Sequence, residues 1–350
     1  MLLLAIFCLW GAGMRHDSLI KMRAEYRLDA AKPLENTPPL VAFTTIALGG
    51  FRGILADILW LRASYLQEQG RYFELVQLSD WITKLEPSVT EIWAFHARNM
   101  AYNISVMMSD PEDRWRWIKN GIGLLRDEGL LYNAGDPGIY CEIGWLFQHK
   151  IGGTIDTDNI YYKIKWAEEM GNLLGGPSPD YGKLASMPEI TRRMLEEYKL
   201  LPGLMSEIDS LYGPLDWRIP ESHALYWAYR GRIIAPKNNN LIYDRMIYQS
   251  ISALFFNGNY SFSRDDNRFI IAPNFDLLPS VLKTYDHCLS KYKETSVKEA
   301  YDNFLIKAVV VLYKSGLKQK SIETFNILHS KFPSPVTSAG FEYFVNRPAE

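Results

Sequence analysis

The chain has 350 residues, 47% of them hydrophobic and 22% charged, which is enough for a large core and argues against wholesale disorder. A formal net charge of -2 argues against a generic electrostatic binder of nucleic acid. The three cysteines, Cys8, Cys141 and Cys288, stand far apart without CxxC spacing, so neither a disulfide framework nor a zinc site is implied and they read as small apolar fillers.

Residues 1–14, "MLLLAIFCLWGAGM", carry no charge and are followed by Arg15, Lys21 and Arg23. As a helix this stretch would reach about 21 Å, short of the roughly 30 Å hydrocarbon core. It is expected to be a signal-anchor that lacks an upstream basic part, or a bare signal segment, with a buried helix as the remaining reading. The body is then expected to be membrane-anchored and periplasmic or otherwise extracytoplasmic. Positive charges placed only after the span would favour a cytoplasmic body, which stays as the alternative. Residues 15–40, ending in "RLDAAKPLENTPPL", read as a linker, 41–335 as a helical domain, and 336–350 as a C-terminal tail.

From residue 56 onward the pattern is almost entirely helical. Leu59, Ala63 and Leu66 fall at i, i+4 and i+7, followed by Gly70. Leu75, Ser79 and Ile82 repeat that spacing, and Pro87 ends the second helix. Trp93, Ala97 and Met100 give the same order of large and small residues again. Far downstream, Leu305, Val309 and Leu312 are followed by Gly316, then Ser321, Phe325 and Leu328, then Pro333. Tyr140, Gly144 and Phe147 form a degenerate copy, as do "SHALYWAYRG" and "RMIYQSISALFFNGNY". Irregular insertions are expected at roughly 104–112, 151–160, 171–188 and 259–274, the last as a loop; strand signals are sparse.

This unit resembles the tetratricopeptide repeat family. The family's unit has a small residue midway along the first helix, a turn glycine, an aromatic after it and a closing proline; 56–103 carries these at Ala63, Gly70, Tyr72 and Pro87, and 302–333 carries the turn glycine and closing proline at Gly316 and Pro333. The chain is also similar to uncharacterised bacterial repeat proteins with an N-terminal apolar segment. The resemblance implies an all-α fold, a right-handed solenoid of helical hairpins, with a concave groove that binds a segment of another protein. Residues beside each small position would line that groove: Trp60, Ser64 and Gln67, then Phe95, Arg98 and Tyr102, then Trp145, Gln148 and His149. Aromatic and arginine side chains in such a mixture are the composition of interface hot spots.

Other clusters read more plainly. In Arg114-Trp115-Arg116-Trp117 the expectation is a core Trp117 with solvated arginines. Asp156, Asp158 and Asn159 lack the glycine and distal glutamate of a calcium loop and read as an acidic loop. The six histidines form no ligand pair, and no phosphate loop, GxSxG or dinucleotide fingerprint is present. Asp216, Arg218, Glu221 and His223 form the densest polar cluster outside the repeats and read as a loop capping a helix. The expectation is a non-catalytic scaffold without cofactor or metal, its partner a protein of an envelope or membrane-associated complex. The rivals are a glycan-active enzyme on an α/α-toroid, with acidic residues converging centrally, and a self-associating structural protein.

Overall fold

A computed structural model describes residues 51–236, 240–263 and 268–346. The apolar N-terminal segment and the linker lie outside the described residues. The protein is mostly helical. Backbone contacts divide it into two compact units, Met1–Ile92 and Trp93–Glu350, so a boundary falls inside the stretch expected as one repeat domain.

The N-terminal unit contains helix α1 (Arg52–Glu68) and helix α2 (Tyr72–Leu85). They pack through Ala63, Leu66, Leu75, Leu78 and Ile82, all buried. The opposite face of α1 leaves Ile54, Ile58, Leu61 and Tyr65 exposed. Between the helices Gly70 adopts φ +69°, a conformation that L side chains rarely take.

At the boundary begins α3 (Thr90–Arg98), which runs into a π-helical turn, Asn99–Ile104. Helix α4 (Pro111–Gly123) starts where the Asp110 side chain accepts from the Glu112 amide at 3.1 Å, with Pro111 at the first helical position. It passes into a second π turn, Leu124–Gly129, and α5 (Leu130–Asn133). Asp136 caps α6 (Pro137–Trp145) in the same way, and a third π turn, Leu146–Ile151, extends it. Then come α7 (Asn159–Leu174), α8 (Pro188–Glu196), α9 (Pro202–Tyr212), α10 (Pro220–Ile234) and α11 (Leu241–Asn257). Two strands follow, β1 (Asn259–Ser263) and β2 (Arg268–Ala272). The chain ends with α12 (Leu278–Lys291), α13 (Thr295–Lys314), α14 (Lys318–Lys331), α15 (Pro335–Ser338) and α16 (Phe341–Asn346).

Helix α10 is the centre of this unit. Every residue from Pro220 to Tyr229 is buried, as expected of a helix without a polar face. It packs between α6 and α11. The approach is close because of Gly144: a Cβ there would sit 2.6 Å from Met246 Sδ and 3.2 Å from the Ala224 carbonyl oxygen. Gly121 on α4 plays the same part against α3, since its Cβ would meet the Ala97 carbonyl oxygen at 2.8 Å.

Three expectations are corrected. The stretch 259–274 is no loop but contains an antiparallel hairpin, with Tyr260 opposite Ile271 and Phe262 opposite Phe269. Its alternation of apolar and small polar residues in "NYSFS" carries the strand period, and Tyr260 turns into the core. In α4 it is Trp115 that is buried, between Tyr162 and Trp166, while Trp117 is half-buried. The C-terminal stretch read as a tail carries α15 and α16, and Phe344 packs on Phe325 with ring centroids 5.3 Å apart.

Candidate functional site

The expected groove residues of the C-terminal unit lie on two neighbouring helical stretches, α3 with its π turn and α6 with its π turn. The Arg98 guanidinium forms a two-pronged pair with Glu142, its Nε 2.9 Å from Oε2. One turn on, the Tyr102 hydroxyl lies 3.0 Å from His149 Nδ1. The His149 ring is stacked on Trp145 at 4.4 Å between centroids, 12° from parallel. Burial pushes the Tyr102 phenol up, and burial followed by the neighbouring Lys150 charge holds His149 below its ordinary value. The phenol therefore stays protonated and donates to a neutral imidazole at neutral pH. Trp145 remains 38% exposed. The result is a fixed aromatic platform beside a paired arginine.

Not every expected groove residue faces out with them. The Gln148 amide donates to the Met246 carbonyl at 3.2 Å and to Ser250 Oγ at 2.9 Å, so it ties α6 to α11 instead of offering itself to a partner. Phe95 is half-buried. Trp60, Ser64 and Gln67 belong to the N-terminal unit: Trp60 is half-buried, Gln67 is exposed, and the Ser64 hydroxyl is bonded to the Trp60 carbonyl at 3.1 Å.

Beneath the platform lies a polar network that the sequence reading missed. Lys150, fully buried at the third π turn, donates to Asp156 Oδ2 at 2.6 Å. Arg114 reaches Asp156 at 3.3 Å, Asp158 at 2.8 Å and the Met108 carbonyl at 2.7 Å. Burial would raise the Asp156 carboxyl, but the Lys150 hydrogen bond and the Asp158 amide outweigh it and hold the carboxyl low. Burial lowers Lys150 against the pull of Asp156. Asp156 and Asp158 are thus neutralised by two cations, which corrects the picture of a solvated acidic loop and of a solvated Arg114, while Arg116 is exposed and paired with Asp113 as expected. An open cleft of ≈ 400 Å³ is lined by Tyr102, Val106, Arg114, Lys150, Ile155, Asp156 and Thr157. The one signal in the sequence was a lysine within "LFQHKI", at a position where the helical period calls for the interior.

The cluster around Glu221 is built into the fold. Asp216 holds Arg218 through two bonds, at 2.9 and 2.6 Å, and Arg218 also donates to the Tyr260 carbonyl at 2.9 Å. Ser222 Oγ donates to the Asp216 carbonyl at 2.7 Å, closing the turn that starts α10. His223 Nε2–H donates to the Trp217 carbonyl at 2.7 Å amid Phe147, Trp166 and Trp217, and burial depresses its pKa to about 4. Glu221 is the exception. Among the described residues its buried Oε2 has no hydrogen-bond partner, and burial pushes its carboxyl up. Gly152 lies so close that a Cβ there would meet Glu221 Oε1 at 2.7 Å.

Among the described residues no group of three or more His, Cys, Asp or Glu side chains is placed to hold a metal ion, and no helix is long and apolar enough to cross a membrane. No family model, curated protein or solved structure matches the chain.

Proposed function

We propose that the protein is a non-catalytic scaffold of tetratricopeptide-like helical hairpins, arranged as a right-handed solenoid, that binds a segment of another protein. The N-terminal apolar segment would tether it to a membrane, with the body on the extracytoplasmic side and the partner drawn from an envelope or membrane-associated complex. The observation that carries the reading is the platform of Trp145, His149 and Tyr102 beside Arg98. A half-exposed indole fixed by stacking and a preset guanidinium lose little freedom on binding, which is what makes such groups effective anchors. The two hairpins with matching turns, at Gly70 and Gly316, support the repeat architecture.

The test is affinity co-purification from membranes of the native host, comparing the intact protein with Arg98→Glu/Trp145→Ala after a melt shows that the variant folds. A specific protein retained by the intact chain and lost by the variant is the expected result. A partner held equally by both would refute this surface, and no partner at all would refute the scaffold.

A further inference from the structure

The C-terminal unit holds a second concavity, of ≈ 190 Å³, between α9, α10, α11 and α12. Its walls are apolar: Leu211 and the Tyr212 ring from α9, Ile247 from α11 and Cys288 from α12. Its polar lining is Arg232, Asp244, Lys283, Thr284 and His287. Asp244 is the one carboxylate among these groups, and it is already engaged. Arg232 Nη1 lies 3.1 Å from its Oδ1, and Lys291 Nζ lies 2.9 Å from its Oδ2, which also accepts from the Tyr292 hydroxyl. Arg232 and Lys291 together already exceed the single charge they enclose.

Lys283 adds to that excess, and His287 offers a ring nitrogen beside it. They stand one turn apart on α12, on the face that lines the concavity, and both are exposed. Neither side chain makes a hydrogen bond or an ion pair among the described residues. The nearest acid in sequence, Asp286, is paired with Lys331 at 2.9 Å. The Thr284 hydroxyl, which is neutral, donates back to the Ser280 carbonyl at 2.7 Å. The site therefore combines an apolar floor with a rim whose cations outnumber its carboxylates.

We infer that this concavity binds a small organic carboxylate with a short apolar tail. The tail would lie against Leu211, Tyr212 and Ile247, and the carboxylate would meet Lys283 and His287 at the rim. The volume of ≈ 190 Å³ suits a short acyl chain. A bare inorganic anion would leave the apolar walls wet, and a neutral alcohol of the same length would leave the Lys283 charge unpaired.

The test is an NMR titration of the full chain at low salt with sodium hexanoate as the probe, and with 1-hexanol and inorganic phosphate as separate arms. Saturable binding of one hexanoate per chain is expected, shifting the His287 ring resonances, which a His287→Gln variant assigns. Lys283→Glu should weaken binding at least tenfold, and Leu211→Glu should weaken it comparably from the apolar side. Both residues are exposed, so the variants should melt within a few degrees of the parent. Absence of saturation would overturn the inference. So would hexanoate affinity unmoved by Lys283→Glu, or hexanol or phosphate binding as tightly as hexanoate.

Discussion

Gly70 and Gly316 occupy the same backbone conformation in the two units, with φ of +69° and +77° and the same hydrogen bonds around them. Gly70 N–H donates to Gln67 O and Arg71 N–H to Leu66 O, at 3.0 and 2.9 Å; Gly316 N–H donates to Tyr313 O and Leu317 N–H to Leu312 O, both at 3.0 Å. Each turn is followed by a helix of 14 residues, α2 and α14, closed by an amide bonded four residues back, Glu86 to Ile82 and Phe332 to Leu328.

A left-handed residue with a Cβ is disfavoured by about 1–2 kcal/mol, partly offset by the lower entropy of the unfolded chain. Gly70→Ala and Gly316→Ala should each lower stability by about 1 kcal/mol in urea denaturation. Gly176→Ala, where a Cβ would meet nothing within 4 Å, should be close to neutral. Equal effects at all three sites would remove the turn geometry as the cause.

The α3–α4 contact depends on Ala97 and Gly121. Replacing Gly121 with Ala gains about 1 kcal/mol of helix propensity, but the added methyl would lie 2.8 Å from a backbone carbonyl that cannot rotate away. The steric effect should win, lowering the melting temperature. Ala97→Leu, at a fully buried position, should lower stability by roughly 1–3 kcal/mol. A stabilised Gly121→Ala variant would show that the two helices can part without loss.

His223 and Glu221, neighbours at the start of α10, should give opposite pH dependences. The folded pKa of His223, about 4, lies below its unfolded value near 6.5. Its contribution is fully present above pH 6.5 and is lost as pH falls through about 4. A His223→Gln variant should lack that part of the acid loss. Glu221 is raised, so its protonated form favours the folded state at low pH, and that stabilisation is lost as pH rises through the folded pKa. Glu221→Gln should therefore raise the melting temperature at pH 7.5 more than at pH 4. A constant difference at both pH values would contradict the burial of an ionisable carboxyl.

Cys288 is pushed up to about 12 and Cys141 to about 11, both chiefly by burial. At pH 8 neither should react appreciably with an alkylating reagent in the folded protein, and both should do so in urea. Peptide mapping by mass spectrometry distinguishes them, and rapid native labelling of Cys288 would mean that α12 opens readily.

Much of the packing was legible because it follows the 3.6-residue period. Ala63, Leu66, Ala97, Leu305, Val309 and Leu328 are all buried where that period places them. What the period could not supply was the effect of the π turns. Each inserts an extra residue per turn and rotates the side chains beyond it, so Gln148 turns to α11 while His149 meets Tyr102. The Arg114–Asp156 and Lys150–Asp156 pairs were hidden for a different reason. Charged residues read as solvated unless a partner from elsewhere in the chain is known, and spacing alone does not pair Arg114 with a loop more than forty residues away. The β1–β2 hairpin was missed because its alternation is short and lacks a tight Asn-Gly turn.

The central claim is that the face carrying Trp145 meets another protein, and site-resolved photo-crosslinking tests it most directly. A benzoylphenylalanine at position 145 keeps the aromatic platform; the same group at Leu131, also exposed, serves as the control. After irradiation in the native host, position 145 should give one discrete adduct with a single protein, and position 131 should not. Identical adducts from both positions, or none from 145, would contradict the account.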